Sequence, residues 1–541
     1  MNISHIYPEP NRKEALGTNG VIATAHPLAT GAALRILQDG GNAFDAAVSA
    51  LATLNVVEPY MSGMGGIGAA LVHSAREQRV RALDFSGKAP LNSDPSKFDH
   101  EDQNTGTKAP LIPGNVAGWF ELLENYGSMD KKRVFQPAID YARYGFPVTD
   151  YNHRHFTAHS ARVLKFPEGK SMIYPSGKPL MPGDILKMPA LANSLERISM
   201  YGKDDFYTGE IANKIIDSMK NSGGILTSED LANYEVNWTD PISIEYSGHQ
   251  IFTIPPNSSA FQVLQTLKMV EHNINYNLSY EHPANLHTMI ESVKLCIADR
   301  VLHSGDPNFV EVPLEILLSD KYISQRCTLI NPMTAMVNAG DQYLKSRPEN
   351  AIEAGSLSGL TTHLSVADRD GNVVSVTQTL GGGFGSAFAV PGTGIFLNNM
   401  ISFFDLDSES KNVMSPNKRV DFPVAPTQIF KNGNFFVSIG TPGGHTILQT
   451  TPQMIINILN YDMSIQQAIE APRFSTTSRI GVGMEERFPR HIRRSLDLRG
   501  HEIDILDAWN IGGAQGVLVD SDKGVFYGGA DPRRDGLALA Y

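Results

Sequence analysis

The chain has few cysteines and no long apolar run. Its 541 residues include only Cys296 and Cys327, with no CxxC pair. A disulfide framework of more than one bond is therefore excluded, and both thiols are expected to be buried rather than to bind a metal. No stretch approaches the roughly 20 apolar residues of a membrane helix. The first residues do not join a basic segment to an apolar one, so we expect no secretory signal and a cytoplasmic location.

Positive charge is also scarce. Lysine and arginine number 45 against 57 aspartates and glutamates, which gives a formal net charge of −12. Without a run of basic residues, the chain has no electrostatic reason to bind nucleic acid or an anionic membrane, and we expect neither as a partner. Hydrophobic residues make up 41% of the sequence, which is enough for a sizeable core.

The order of the predicted elements indicates the fold class. Apolar residues recur at helical spacing over 27–39 and 43–57, and helical patterns dominate 110–330. Residues 340–360 are small and polar, which favours a linker. After 360 the pattern alternates, and the turn at Asp370–Gly371 predicts a hairpin. Further strands are predicted within 392–399, 425–432, 434–440, 516–520 and 524–529. We therefore predict an α/β (α+β) fold that is helical first and sheet-rich later.

Two motifs imitate cofactor or metal sites. GMGGIG (63–68) has the spacing of a dinucleotide fingerprint, but a helix precedes it and a strand follows, the reverse of that motif. A tight turn is the better interpretation. His153, His155 and His159 could form part of a metal site, but no cysteine or acidic cluster completes it. We expect no metal and no cofactor.

The segment GTPGGHT (440–446) follows a predicted strand. Gly443 and Gly444 would let backbone N–H groups converge where a side chain would obstruct them, as in an oxyanion hole. An ordinary turn explains the same glycine pair.

Thr361 stands where the small-residue linker enters a strand that begins Thr-Thr. If the bond between Leu360 and Thr361 were cut, Thr361 would carry both a hydroxyl and an α-amino group with a pKa near ~8. One residue would then hold nucleophile and base together. A threonine at a strand start is common, so the spacing alone leaves a structural role open.

Ten motifs in order resemble the γ-glutamyltranspeptidase family of N-terminal nucleophile hydrolases. They run almost from end to end: DGGNAFDAAVSA (39–50), PGNVAGW (113–119), GGILTSEDLANY (223–234), TTHLSVADRDGNVVSVTQT (361–379), FGS (384–386), GTGI-LNN (392–399), PNKR (416–419), GTPGG (440–444), APRF (471–474) and DPR (531–533). The resemblance implies a four-layer αββα sandwich and a proenzyme that cuts itself before Thr361. The products would be a helix-rich large subunit, 1–360, and a sheet-rich small subunit, 361–541, which together form one domain.

The same resemblance assigns roles to four residues. Thr361 matches the nucleophile, and Thr379 matches a second threonine that orients it. Gly443 and Gly444 match the oxyanion pair. Neither a metal nor a cofactor is implied.

The positions that anchor glutamate in the family differ here. Members that act on γ-glutamyl groups hold the amino acid end with an arginine, an asparagine, a Gln or Glu, an aspartate and paired serines. Those positions are occupied here by Ser86, Gly381, Met400, Phe403 and, by eye, Phe422 and Pro423. A site without these charge-assisted hydrogen bonds should bind a γ-glutamyl zwitterion poorly.

Two cationic candidates remain near these positions. Lys88 and His445 could meet a substrate carboxylate, or could equally be structural. The segment 404–416 also looks shorter than the lid loop of the family, which would leave the site more open.

These observations predict an autoprocessed amidohydrolase that hydrolyses a non-glutamyl or small acyl amide and is similar to oxamate amidohydrolases or cephalosporin acylases. Its expected partners are a small-molecule amide and the two subunits of its own precursor, and a homo-oligomer of the processed unit remains open. One alternative is a true γ-glutamyl hydrolase or transferase that acts on glutathione. The other is an unprocessed binding protein of the same fold.

Overall fold

The computed structural model of the protein describes residues 9–340 and 360–541. Most of its strands belong to two large sheets. In chain order the strands are β1 (Ala15–Gly17), β2 (Gly20–Thr24), β3 (Ile67–Ser74), β4 (Arg79–Phe85), β5 (Phe146–Pro147), β6 (Ile185–Leu186), β7 (Asn237–Thr239), β8 (Ile242–Tyr246), β9 (His249–Thr253), β10 (Leu360–Asp368), β11 (Val373–Gly381), β12 (Ala389–Val390), β13 (Ile395–Phe396), β14 (Thr427–Lys431), β15 (Asn434–Gly440), β16 (Phe474–Thr476), β17 (Gly481–Glu485), β18 (Glu502–Leu506), β19 (Gln515–Asp520), β20 (Val525–Ala530) and β21 (Leu537–Ala540).

Helices cover both outer sides of this pair of sheets. They are α1 (Pro27–Gln38), α2 (Ala43–Val57), α3 (His100–Asn104), α4 (Asn115–Tyr126), α5 (Lys131–Tyr144), α6 (Asp150–Val163), α7 (Pro167–Ile173), α8 (Pro189–Tyr201), α9 (Asp204–Tyr207), α10 (Glu210–Ser222), α11 (Ser228–Ala232), α12 (Phe261–Asn273), α13 (Pro283–His303), α14 (Leu314–Leu317), α15 (Asp320–Cys327), α16 (Ile447–Tyr461), α17 (Ile465–Glu470) and α18 (Arg490–Asp497). Three short 3₁₀ turns lie at Pro95–Lys97, Met400–Phe403 and Gly444–Thr446.

Each large sheet has seven antiparallel strands. The β10 sheet has the order β21-β2-β10-β11-β3-β4-β7, and the β15 sheet has the order β1-β20-β19-β15-β14-β9-β8. Both sheets combine strands from before and after residue 360. The two parts of the chain therefore share both sheets.

The two faces of β3 contribute to different parts of the hydrophobic core. Ala70 and Val72 belong to the cluster that packs under α1 and α2, whereas Ile67, Ala69 and Leu71 belong to the cluster between the two sheets. Because side chains alternate across a strand, the β10 sheet is covered on both faces. Helices α12, α13 and α16 contribute to the second cluster from beyond the β15 sheet. The predicted helix–sheet–sheet–helix sandwich is confirmed.

Several local predictions are confirmed by these bounds. Helices α1 and α2 match the predicted segments 27–39 and 43–57, and β10 and β11 form the predicted hairpin. β3 follows the GMGGIG turn. The strand expected over 392–399 shrinks to the two residues of β13, because the flanking residues turn. The predicted linker falls mainly on 341–359, outside the described residues. No helix in the described ranges combines the length and apolar character needed to cross a membrane.

Candidate active site

Thr361 and Thr379 lie directly opposite each other on β10 and β11. Opposed residues of an antiparallel pair point to the same face of the sheet, so the two hydroxyls meet. The Thr361 Oγ1 donates a hydrogen bond to Thr379 Oγ1 at 3.3 Å, and both side chains are buried. The strand register changes between Leu360 and Thr361, which places an irregular backbone just before this pair.

The Thr379 hydroxyl connects the pair to the preceding peptide. It donates to the carbonyl oxygen of Leu360 at 2.7 Å and accepts from the Gly381 N–H at 2.8 Å. One hydroxyl thus accepts from the Thr361 side chain and polarises the carbonyl that would be attacked if Thr361 cut the chain. This arrangement can support an attack on the Leu360–Thr361 bond.

A buried histidine brings the β15 sheet against this strand. His363 lies two residues after Thr361, and a Cβ atom at Gly440, the last residue of β15, would overlap its ring. His363 Nδ1 lies 2.8 Å from Thr377 Oγ1. Burial lowers the pKa of His363 to about 3, so its imidazole is neutral and serves as a contact between sheets. The loop that leaves β15 at residue 441 therefore starts beside β10.

The glycine pair of that loop adopts backbone angles that side chains disfavour. Gly443 has φ of 135° and Gly444 has φ of 58°, at the start of a 3₁₀ turn. The Thr446 hydroxyl donates to Gly443 O at 2.8 Å and closes the turn. Within the described residues neither glycine N–H donates a hydrogen bond. Two such free N–H groups are what an anion-binding turn requires.

Arg534 contacts Thr361, and the sequence did not identify it as a site residue. Its Nη1 donates to the carbonyl oxygen of Thr361 at 2.8 Å. Its side chain packs so closely on Gly513 that a Cβ there would overlap it. The neighbouring Gly512 Cα lies 3.6 Å from the position of a Cβ on Gly443. Arg534 and these glycines therefore link the loop to the nucleophile strand.

A buried ion network holds the residues around Arg534. Asp531 contacts Arg473 at 2.8 Å and Arg533 at 3.0 Å, and Arg533 also contacts Glu485 at 2.6 Å. Burial works to raise the pKa of Asp531, but Arg473 and Arg533 outweigh it and hold that pKa at about 2. Two guanidinium and two carboxylate groups balance inside the core, which fixes the segment that carries Arg534.

Glu58 is the second residue near Thr361 that the sequence did not identify. It caps α2, is fully buried, and its Oε2 accepts from Thr362 Oγ1 at 3.2 Å. Burial raises the pKa of Glu58 to about 8, although the charge of Arg534 pulls it down. Two features of the sequence could have pointed to Glu58 and Arg534. They are the single glutamate after the apolar run of α2 and the second arginine of DPRRDG.

Four candidate pocket residues form two contacts. A Cβ at Gly381 would lie 3.0 Å from Met400 Sδ. The ring of Phe403 lies 5.9 Å from that of His445, at an angle of 33°. The structure therefore places Met400 beside Gly381, two residues after Thr379, and Phe403 beside His445, which directly follows the glycine pair.

Ser86 directly follows β4, in the same sheet as Thr379 but farther from β10. Thr379 pairs with Ile67, and Ser86 directly follows Phe85, which pairs with Gly68. Three strand spacings separate Ser86 from β10, about 14 Å. A serine cannot reach across that distance. Its hydroxyl instead accepts from Asn257 Nδ2 at 3.1 Å in a fully buried position.

Phe422 and Lys88 flank Ser86. Phe422 is buried and forms an isolated bridge with Ser258, next to Asn257. Lys88 is half-buried and pairs through its backbone with Arg419. Burial and the Arg419 charge lower the pKa of Lys88. Among the described residues, no carboxylate lies within ion-pair distance of the Lys88 ammonium.

One buried cluster has metal-ligand chemistry, and it lies away from the threonine pair in sequence. His287, Glu291 and His501 bring their ligand atoms within 4.8 Å of one another. The Lys294 ammonium contacts Glu291 Oε1 at 2.8 Å and His501 Nδ1 at 3.4 Å. A cation already satisfies this cluster. A metal would have to displace that buried ammonium, so the donor set does not fit a metal.

The three histidines considered from the sequence do not form a metal-ligand group. His153 Nδ1 contacts Leu180 O at 2.8 Å. The rings of His155 and His159 stack with their centroids 5.9 Å apart, and His155 also stacks on Tyr60. Their packing is aromatic, and burial lowers the pKa of His155 to about 3.

Comparisons with known proteins cover almost the whole chain. The gamma-glutamyltranspeptidase family model matches residues 29–541. A glutathione hydrolase proenzyme of Bacillus subtilis (strain 168) is 34% identical, over 97% of this chain and 92% of that protein. The acylase ACY 1 proenzyme of Pseudomonas sp. (strain SE83) is also 34% identical, over 98% and 95%. The crystal structure of cephalosporin acylase from Bacillus halodurans superposes with a TM-score of 0.89 at 32% identity, covering 100% of this chain and 99% of that one.

Proposed function

Because the chain belongs to the γ-glutamyltranspeptidase family, we propose that it is an autoprocessed amidohydrolase whose nucleophile is Thr361 and whose substrate is a non-glutamyl acyl amide. The relatives include hydrolases and acylases, which supports amide chemistry. The observation that carries the proposal is the pair of hydrogen bonds from Thr361 to Thr379 and from Thr379 to Leu360 O.

Processing would start from this arrangement. The Thr361 Oγ1 attacks the Leu360 carbonyl carbon while its proton passes towards Thr379 Oγ1. The Thr379 hydroxyl, already bonded to the Leu360 oxygen, stabilises the negative charge that develops there. Collapse of the tetrahedral intermediate breaks the C–N bond, the departing Thr361 nitrogen takes up the proton lost from Oγ1, and an ester remains on Thr361 Oγ1. Water then hydrolyses that ester and releases a new N-terminus at Thr361.

The mature site would use the same residue for turnover. The neutral α-amine of Thr361 takes the hydroxyl proton as Oγ1 attacks the substrate carbonyl, and returns it to the leaving amine. The N–H groups of Gly443 and Gly444 are proposed to stabilise the oxyanion, since neither has another acceptor in the described residues. Water then resolves the acyl-enzyme. Hydrolysis rather than transfer to an amine is proposed as the main reaction.

The lining of the site supports an acyl group other than γ-glutamyl. Met400, Phe403 and Gly381 offer no charged partner for an ammonium group, and the hydroxyl of Ser86 is engaged by Asn257. An unpaired zwitterion buried there would cost several kcal/mol, on the order of the penalty for unsatisfied charged groups. Lys88, which has no carboxylate partner among the described residues, is proposed to meet a carboxylate on the substrate.

The first test is processing. Purified protein and a Thr361→Ala variant are compared by intact mass under denaturing conditions. We expect two chains for the wild type, the smaller beginning at Thr361, and one chain for the variant. A wild type that remains a single chain would remove the proposal and favour a binding protein of this fold.

The second test is substrate choice. The processed protein is offered a γ-glutamyl anilide and a series of simple acyl and dicarboxylic monoacyl anilides. Simple or dicarboxylic acyl anilides should turn over faster. Comparable or faster turnover of the γ-glutamyl anilide would favour the glutathione-type alternative. Lys88→Met should raise KM for the dicarboxylic series only.

A further inference from the structure

Arg534 approaches the edge of β10 at the residue proposed to be the nucleophile. The N–H and C=O groups of one strand residue point to the same edge of the strand. Because Arg534 Nη1 bonds Thr361 O at 2.8 Å, the nitrogen of Thr361 faces the same guanidinium. Backbone dimensions place that nitrogen within about 6 Å of Nη1. After processing, this nitrogen would be the α-amine.

The guanidinium is held firmly and has few acceptors. Arg534 is only 6% exposed, and its side chain packs against Gly513. Its Nη1 also lies 3.5 Å from Met61 Sδ. Its Nε has no hydrogen-bond partner within the described ranges. A buried cation in this position acts on its neighbours through a medium that screens charge less than water does.

Other titratable groups face this site from three elements. They are Glu58 and Tyr60 at the end of α2, Tyr151 and His155 on α6, and Asp535 next to Arg534 in the chain. Burial keeps the two tyrosines and His155 neutral near pH 7. Asp535 is bonded by the Thr149 hydroxyl at 2.6 Å. Burial raises the pKa of the Glu58 carboxyl to about 8, so it too is largely uncharged near pH 7 and does not cancel the charge of Arg534.

We propose that Arg534 is a positioning residue that fixes the first residue of the small subunit and favours the neutral, base-competent form of the Thr361 α-amine. A nearby positive charge disfavours protonation of an amine, and a nearby carboxylate favours it. This inference rests on the proposed function, because only a processed chain has an α-amine at Thr361.

The pH dependence of kcat/KM tests the inference. In the wild type the acidic limb reports loss of a proton from the α-amine of the free enzyme. Arg534→Gln should move that limb upwards by about 1–2 pH units, the effect of removing one charge at about 6 Å. Arg534→Lys should restore most of the wild-type position. Glu58→Gln, which replaces a largely protonated carboxyl by a neutral amide, is the control and should move the limb by much less.

For each preparation, the fraction of protein that has split into two chains is measured together with the pH profile of kcat/KM. A processed Arg534→Gln protein with an unshifted limb overturns the inference. If Arg534→Gln does not split, Arg534→Lys decides: a processed protein whose limb stays near the wild-type position supports the inference, and a limb raised by about 1 pH unit although the charge is kept overturns it. A wild type that never splits would instead remove the proposed function, so the two failures are distinguishable.

Discussion

Replacing Thr379 by valine removes one hydroxyl while nearly preserving the volume of the side chain. That hydroxyl donates to Leu360 O at 2.7 Å and accepts from Thr361 at 3.3 Å. Loss of one donor to a developing oxyanion typically lowers a rate by about 10²–10³-fold, or roughly 2.7–4 kcal/mol. We therefore expect Thr379→Val to split at least about 100-fold more slowly than the wild type. The loss should appear in processing before any substrate is added.

The same hydroxyl also accepts from the Gly381 N–H at 2.8 Å. Leaving that buried N–H unsatisfied should lower the free energy of unfolding by about 1–3 kcal/mol. Stability and processing must therefore be measured separately, by urea unfolding and by a time course of chain splitting on denaturing gels.

Two control variants isolate the hydroxyl. Thr379→Ser keeps it and should process at a rate close to that of the wild type. Thr377→Val removes a buried threonine hydroxyl from the same face of β11, where its partner is His363. That variant should lose stability without a comparable loss of processing. If Thr379→Val splits as fast as Thr377→Val, the assignment of Thr379 to the attacked carbonyl is refuted.

Two further predictions concern stability and follow from close contacts and charge balance. Gly381→Asn, which restores the side chain expected in the family, should lower the free energy of unfolding by about 1–3 kcal/mol without creating γ-glutamyl activity, because φ is 97° and the new Cβ would overlap Asn399 Oδ1. Gly392→Asn, at φ of 69° with open space around it, is the matched control and should cost less; equal urea midpoints would contradict this reasoning. Arg473→Met should cost about 3–5 kcal/mol in urea unfolding, since it removes a partner 2.8 Å from the buried Asp531. An unchanged midpoint would show that Asp531 needs only its remaining arginine.

The pairing of Thr361 with Thr379 can be predicted from the sequence because its determinants are local. The turn at Asp370–Gly371 fixes the register of the hairpin, and counting outward from it places Thr361 opposite Thr379. Helices α1 and α2 can also be predicted from the sequence, since the apolar spacing and the end residues of each helix lie within one segment.

The contacts that surround the pair were not accessible in this way. Arg534 reaches Thr361 from the last strand connection of the chain, and Glu58 reaches Thr362 from the end of the second helix. The first contact needs the connection between β20 and β21, which lie in different sheets, and the second needs α2 to pack on β10. Their sequence signals, an arginine after DPR and a glutamate before a proline, fit many structures. Ser86 is a candidate pocket residue in the sequence, but its hydroxyl bonds Asn257, and this partner could not be inferred from sequence spacing.

The mixing of early and late strands within each sheet has a consequence for refolding. In the β10 sheet, β2 lies between β21 and β10, and β11 lies next to β3. A cut before Thr361 would turn an intramolecular search into an encounter of two chains, each carrying unpaired strand edges. The processed protein should therefore unfold on heating without recovering, and its rate of unfolding, rather than an equilibrium, should set its working lifetime.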